Sequence, residues 1–262
     1  MSIRKPEKTN PFPSDKIIRR MGYPNDQEGI MRRYINEEGN WNEHLNKSKA
    51  YIRQCIAKHK PESVAVLGSG WLLDVPLDFL SENCKSVYLY DIRHPRQVIQ
   101  KIKSCPNIEA INMDVSGGAI ECVYNHLNAR DFDSVSNLPK LRFTPVKPVD
   151  YTISLNLLNQ LDILIVEYLR KFPQVADEAV LQLRKKLQLA HLNSLSADKS
   201  CLITDYEELI YDRTDNLVGS SSIVFNKFPN GKNVEEWIWK FDGQMTYYPN
   251  RKTYFKVKAM EL

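Results

Sequence analysis

Ser63-Val-Ala-Val-Leu-Gly-Ser-Gly-Trp-Leu-Leu-Asp-Val-Pro-Leu-Asp-Phe-Leu-Ser-Glu-Asn-Cys-Lys-Ser-Val-Tyr-Leu-Tyr-Asp91 reads as strand, glycine turn, helix, strand, acid. Val64 to Leu67 are continuously apolar, the pattern of a strand buried on both faces of a parallel sheet. Gly68 and Gly70 then let the backbone turn tightly and approach a ligand with no Cβ in the way. Asp74, Val75 and Pro76 open a helix, proline being well placed in a first turn. Val87 to Tyr90 form a second strand, and Asp91 ends it 23 residues after Gly68. A glycine turn and a ribose-gripping acid stand about 20 residues apart in nucleotide-binding βαβ units. The stretch therefore reads as a nucleoside-binding half.

Working outward, the pattern repeats. Residues 95–104 form a crossover helix, Ile108 to Met113 a third strand ending at Asp114, and Ala119 to Leu127 a helix behind Gly117-Gly118. Prolines 139, 145 and 148 make residues 128–148 irregular. Tyr151 to Leu155 is the fourth strand, followed by helices over Asn159 to Phe172 and Val175 to Leu192. Ser200 to Thr204 is the fifth, closed by Asp205. Trp237 to Phe241 and Thr253 to Val257 then stand close enough for an antiparallel pair. Upstream, Ser14 to Arg20 and Asp26 to Glu38 read as short helices. Trp41, Leu45, Ser48, Ile52, Cys55 and Ile56 mark one stripe of a helix that Pro61 brings to an end near His59. The expected fold is α/β: a Rossmann-like doubly wound sheet, mostly parallel, with an antiparallel C-terminal strand pair and a helical N-terminal extension. Residues 1–60 are a disordered tail plus a helical lid; residues 61–262 are the sheet domain.

A net charge of +4 on 262 residues does not by itself call for nucleic acid. Five dispersed cysteines without a Cys-x-x-Cys pair fit buried thiols in a reducing compartment and offer no zinc site. Pro6, Pro11 and Pro13 stand in a polar start with no signal-peptide core, and the apolar run at Ile163–Val166 is broken by Glu167, far short of the ~20 residues that span a bilayer. A cytoplasmic protein, with no metal and no membrane partner, is expected.

Leu67-Gly68-Ser69-Gly70, Asp91, Asp114 and the run Ser154-Leu-Asn-Leu-Leu-Asn-Gln-Leu161, each following its strand, resemble class I S-adenosylmethionine-dependent methyltransferases over residues 61–262. The continuation Gly-Ser-Gly-x-Leu-Leu-Asp-Val-Pro-Leu is similar to a group within them that has no assigned substrate. The resemblance implies S-adenosylmethionine as cofactor. Gly68, Ser69 and Gly70 would lie beneath its methionine and ribose, and Asp91, with Ile92, against the ribose hydroxyls. Asp114 would face the adenine amino group with Val115 beside the ring, and Asn156 would border the point of methyl delivery. Leu72 occupies the last position of the usual Gly-x-Gly-x-Gly, so a narrowed turn and modest affinity are expected.

An ionised carboxylate accepts both donors of a ribose diol through charge-assisted bonds, which is the chemical use of Asp91. The alternatives are a turn-capping acid there and a helix cap at Asn156. In-line methyl transfer from a sulfonium needs alignment and dryness more than acid–base help, so no catalytic residue is named. Asn159, Asp205, Tyr206 and Glu207 are the substrate-side candidates, Glu208 continuing the acidic run, and an acidic loop in solvent is the alternative for Asp205 to Glu208. His94 falls on the adenosine side. Tyr23, Arg32, Arg33 and Tyr34 would serve the lid. The expected activity is methyl transfer to a small molecule. An NAD(P)-dependent oxidoreductase is the first rival, although the third glycine of Gly-x-Gly-x-x-Gly is replaced by Leu73. A non-catalytic nucleoside-binding protein of the same fold is the second. Nucleic acid stays open as a substrate through the lysines and arginine of residues 227–258.

Overall fold

A computed structural model describes residues 12–138 and 141–262. The expected N-terminal tail lies almost wholly outside the described residues. Five strands alternate with helices: β1 (Ser63–Leu67), β2 (Ser86–Asp91), β3 (Ile108–Asn112), β4 (Tyr151–Leu155) and β5 (Ser200–Tyr211). They pair in parallel in the order β3-β2-β1-β4-β5. After β6 (Leu217–Ser222) come β7 (Lys232–Asp242) and β8 (Lys252–Glu261). The last strand lies antiparallel between β5 and β7, closing the sheet as β3-β2-β1-β4-β5-β8-β7. The fold is the Rossmann-like doubly wound sheet with a C-terminal antiparallel pair.

The period-2 rule sorts the apolar runs between two faces. Val64 and Val66 join Leu89, Ile153 and Ile203 in a cluster with three helices, α3 (Asn42–His59), α4 (Leu77–Asn83) and α5 (Arg96–Ile102). Ala65 and Leu67 turn the other way with Tyr90 and Leu202, toward α7 (Gln160–Leu169) and α8 (Asp177–Ser194). Behind those, α6 (Ala119–Asn128) and α1 (Asp15–Arg20) complete the layer. All four residues Val64–Leu67 are fully buried, as a strand covered on both sides requires.

Three local readings are corrected. The helix after the glycine turn starts at Leu77 with Pro76 as its N-cap, so Asp74 and Val75 belong to the turn. Asp205 does not close β5: the strand continues to Tyr211, keeping its pairing with β8 across a bulge between Asp205 and Glu207. The bulge absorbs one extra residue and re-aims the side chains beyond it. No acidic loop exists there. The extension of β5 pairs with β6, whose residues are all exposed, which is why no apolar alternation announced it.

The N-terminal α2 (Tyr23–Asn36) has no buried residue and is tied down by polar groups at both ends. Trp71 Nε1 donates to Gln27 O at 2.6 Å, and Gln27 Nε2 to Arg93 O at 2.5 Å. Beyond its C-terminus, the Glu37 carboxylate accepts the N–H of Gly243 (2.9 Å) and of Gln244 (3.1 Å), just after β7.

Candidate functional site

A cavity of about 690 Å³ opens at the carboxyl ends of β1, β2, β4 and β5, beneath α2 and the β7–β8 connection. Its position is the point where strand order reverses in an open α/β sheet, the usual ligand crevice of such folds. Gly68, Ser69, Gly70, Asp91, Ile92, Asp114, Val115 and Asn156 all line it, as do Asn159 and Asp205. Tyr206 and Glu207 do not: Tyr206 packs edge-on against Phe228, and Glu207 pairs with Lys256 at 2.9 Å.

The turn is built for close approach. Gly68 has φ +81°, and a Cβ there would fall 2.6 Å from Leu155 O. Gly70, at φ +42°, donates its N–H to Asp91 Oδ2 at 2.8 Å. Ser69 Oγ meets His94 Nε2 at 2.9 Å, and the other ring nitrogen meets Asn112 Oδ1 at 2.8 Å. His94 therefore braces the turn from behind β2 and β3. Leu72 corrects the expectation of a crowded turn. Its backbone takes the left-handed conformation, φ +60°, while its side chain is 3 % exposed in the core cluster and is no part of the cavity wall. The glycine-like conformation of the third position is kept without a glycine.

Two oxygens on this side are buried without a partner, Asp114 Oδ2 and Asn156 Oδ1. Asp114 Oδ1 is taken by Ser116 N (2.8 Å) and Ser116 Oγ (2.5 Å); burial pushes the carboxyl up to about 6 against the opposing pull of Ser116 and of the Gly118 and Ile120 backbone N–H groups. Burial also raises Asp91, against the opposing pull of His94 and of the Gly70 N–H. A buried acceptor without a donor is costly unless a ligand supplies one. An adenosyl group offers both kinds of donor needed here, a ribose diol for Asp91 and an exocyclic amine for Asp114. Asn156 is no helix cap: it sits at φ +47° and its Nδ2 donates to Asp74 Oδ2 at 2.7 Å. His44 Nε2 lies 3.1 Å from the same nitrogen, and His44 Nδ1 accepts the Trp237 indole N–H at 3.0 Å. Burial holds His44 near 3, so it is neutral, and raises Asp74 to about 6.

On the far side, Asn159 Nδ2 donates to Asp205 Oδ2 at 3.0 Å, while Asp205 Oδ1 is buried without a partner. Burial pushes this carboxyl to about 6 as well. Glu208, raised by burial, shares the wall with Tyr247 and Tyr248. At the mouth, Asp26 is raised to about 6 by desolvation and by the charge of Glu167. Arg33 lines the mouth too, but it is spoken for: it pairs with Asp242 at 3.5 Å and lies over the rings of Phe241 and Tyr247. Arg32 and Tyr34 are not in the wall.

Glu208, the last of the acidic run, lines the cavity with Asp205, whereas His44, Asp74, Asp26, Glu167 and the two tyrosines were missed by sequence reasoning. His44 had a signal, a polar ring three residues after Trp41 on an apolar stripe. The others come from four elements distant in sequence, and nothing local marks them. Among the described residues no helix is long and apolar enough to cross a membrane, and no group of three His, Cys, Asp or Glu side chains is arranged to hold a metal. The five cysteines are free thiols, three buried and two half-buried.

No protein-family model and no curated protein matches the sequence. Among solved structures, the chain is similar to the N-methyltransferase NodS from Bradyrhizobium japonicum WM9 (12% identity, 81% of this chain and 85% of that one, TM-score 0.39). It is similar to DhpI (11%, 95% and 99%, TM-score 0.40). A third is 1,6-didemethyltoxoflavin-N1-methyltransferase from Burkholderia thailandensis (11%, 91% and 91%, TM-score 0.35). All three were solved with S-adenosylhomocysteine bound. At this distance the likeness carries no chemistry over to this chain, whose own side chains have to supply it.

Proposed function

We propose that this chain is an S-adenosylmethionine-dependent methyltransferase acting on a small molecule. One observation carries the reading: Asp91 stands against the Gly70 N–H in the wall of a cavity that also holds the unpartnered oxygen of Asp114. The turn's missing side chains leave room for a ribose, Asp91 receives its hydroxyls, and Asp114 receives the base's amino group. The cofactor supplies an electrophilic methyl group; the residues around it align the acceptor and exclude water. The α2 helix, which lines the mouth and fully buries none of its residues, acts as the lid. Enclosure beneath it favours a small acceptor over a nucleic acid. The basic C-terminal stretch adds little to the contrary, because Lys232, Lys252, Lys256 and Lys258 are already engaged with Asp198, Asp215, Glu207 and Glu236.

Calorimetric titration with S-adenosylhomocysteine beside NAD tests this. Saturable binding of the first and none of the second is expected. NAD binding alone would establish the oxidoreductase rival, and binding of neither would end the cofactor assignment.

A further inference from the structure

Beyond the cofactor residues the cavity is acidic. Besides Asp91 and Asp114, five carboxyl side chains (Asp26, Asp74, Glu167, Asp205 and Glu208) line it against three guanidiniums, and two of those, Arg33 and Arg184, are tied to Asp242 and Asp162 outside the wall. Most of this negative charge is therefore left for a ligand to meet. At the end away from the glycine turn sits Asp205, 3 % exposed, with one oxygen fixed by Asn159 and the other without a partner. Glu208, on the same strand past the bulge, lines the cavity together with Tyr247, Tyr248 and Phe255. A carboxylate aimed into a cavity with aromatic walls selects for a cation on an apolar body, through a charge-assisted hydrogen bond and contact with ring faces. An anionic acceptor would be repelled, and a neutral alcohol would gain nothing from the excess charge.

We propose that Asp205, held by Asn159, is the acceptor-binding group of this cavity and that the acceptor is a basic amine carried on an aromatic or similarly apolar body. The inference rests on the methyltransferase reading and names its substrate class. The Asp205 carboxylate first takes a proton from the bound ammonium, and the lone pair so freed forms the new N–C bond as the C–S bond breaks and its electron pair stays on sulfur. The product leaves as the methylated ammonium, and Asp205 returns its proton to water. Glu208 adds negative potential at the entrance to this end and Asn159 keeps the carboxylate aimed.

The probes are phenethylamine and its anionic counterpart 3-phenylpropanoate, titrated by calorimetry into protein saturated with S-adenosylhomocysteine. Phenethylamine should bind at least about tenfold more tightly than the acid, and Asp205→Asn should weaken it about tenfold or more. S-adenosylhomocysteine affinity should stay within about threefold in that variant, since Asp205 lies outside the cofactor residues. Glu208→Gln, at a half-buried position, should give a smaller loss of the same sign and serves if Asp205→Asn does not fold. Equal affinity for the two probes, or unchanged amine affinity in the folded variants, overturns the proposal and leaves the cofactor assignment standing. Failure of S-adenosylhomocysteine to bind overturns both.

Discussion

Gly70 and Asp91 are 21 residues apart in sequence and joined by a 2.8 Å hydrogen bond from backbone N–H to carboxylate. The bond fixes one carboxylate oxygen and draws the second strand's acid to the turn. Asp91→Ala should therefore weaken S-adenosylhomocysteine binding by about 1.5–3 kcal/mol, the range for hydrogen bonds to a charged group. Calorimetry on a variant whose circular dichroism matches wild type is the measurement. Unchanged affinity would remove Asp91 from the ribose site.

That pair was legible because both partners follow from local rules: a glycine where β1 ends, an acid where β2 ends, and a parallel register that sets the two ends side by side. The parallel strands were legible for the same reason, each being a short run with both faces buried. Asp205 was legible as a candidate but not in its setting. Four polar residues in a row, Asp205 to Glu208, look like a solvated loop. Only the long-range pairing with β8 and the bond from Asn159 make the first of them a buried strand residue. The wall formed by α2 and by Tyr247 and Tyr248 depends on how the two ends of the chain meet across the sheet, and no periodicity encodes that.

Leu72 separates local strain from ligand contact. Its left-handed backbone costs an L-residue roughly 1–2 kcal/mol, whereas deleting a buried leucine side chain costs about 2–5 kcal/mol. Leu72→Gly relieves the first and incurs the second, so a net loss of about 1–3 kcal/mol in unfolding free energy is expected. Because the side chain faces the core, S-adenosylhomocysteine affinity should change little. Denaturant unfolding beside calorimetry reads both, and a large affinity loss in the folded variant would make Leu72 a support of the turn.

The pH dependence of binding follows from Asp114. Its folded pKa is raised to about 6 by burial, and a ligand that donates to its free oxygen favours the ionised form. Binding then releases a proton below that pH, so affinity is full above about 6 and falls as pH drops through it. At pH 5 the loss should reach about tenfold, one unit below the pKa. Without ligand the sign reverses, since an aspartate that ionises near 3.9 when unfolded makes the charged folded form the costly one above pH 6. Asp114→Asn should flatten the binding profile and raise the apo melting temperature at pH 7. A profile as steep as wild type would place the titrating group elsewhere.

Glu37 tests whether α2 is a lid. It is 1 % exposed, and its carboxylate accepts the N–H groups of Gly243 and Gln244 as well as Asn40 Nδ2 at 3.0 Å. Since α2 fully buries none of its own residues, these bonds work with those of Gln27, the Arg33–Asp242 pair and the packing of Ile30 and Tyr34 to anchor it across the cavity. Glu37→Ala leaves two backbone donors unmatched and should cost about 1–3 kcal/mol. Hydrogen exchange should speed up in Tyr23–Asn36 while the amides of β1 and β4 stay protected, because local opening draws on the weakest-held segment. S-adenosylhomocysteine, by bridging the turn and α2, should slow that exchange again in wild type and less so in the variant. If the α2 amides exchange at the same rate with and without Glu37, or with and without ligand, the helix is fixed scaffold and access to the cavity is controlled at the β7–β8 connection instead.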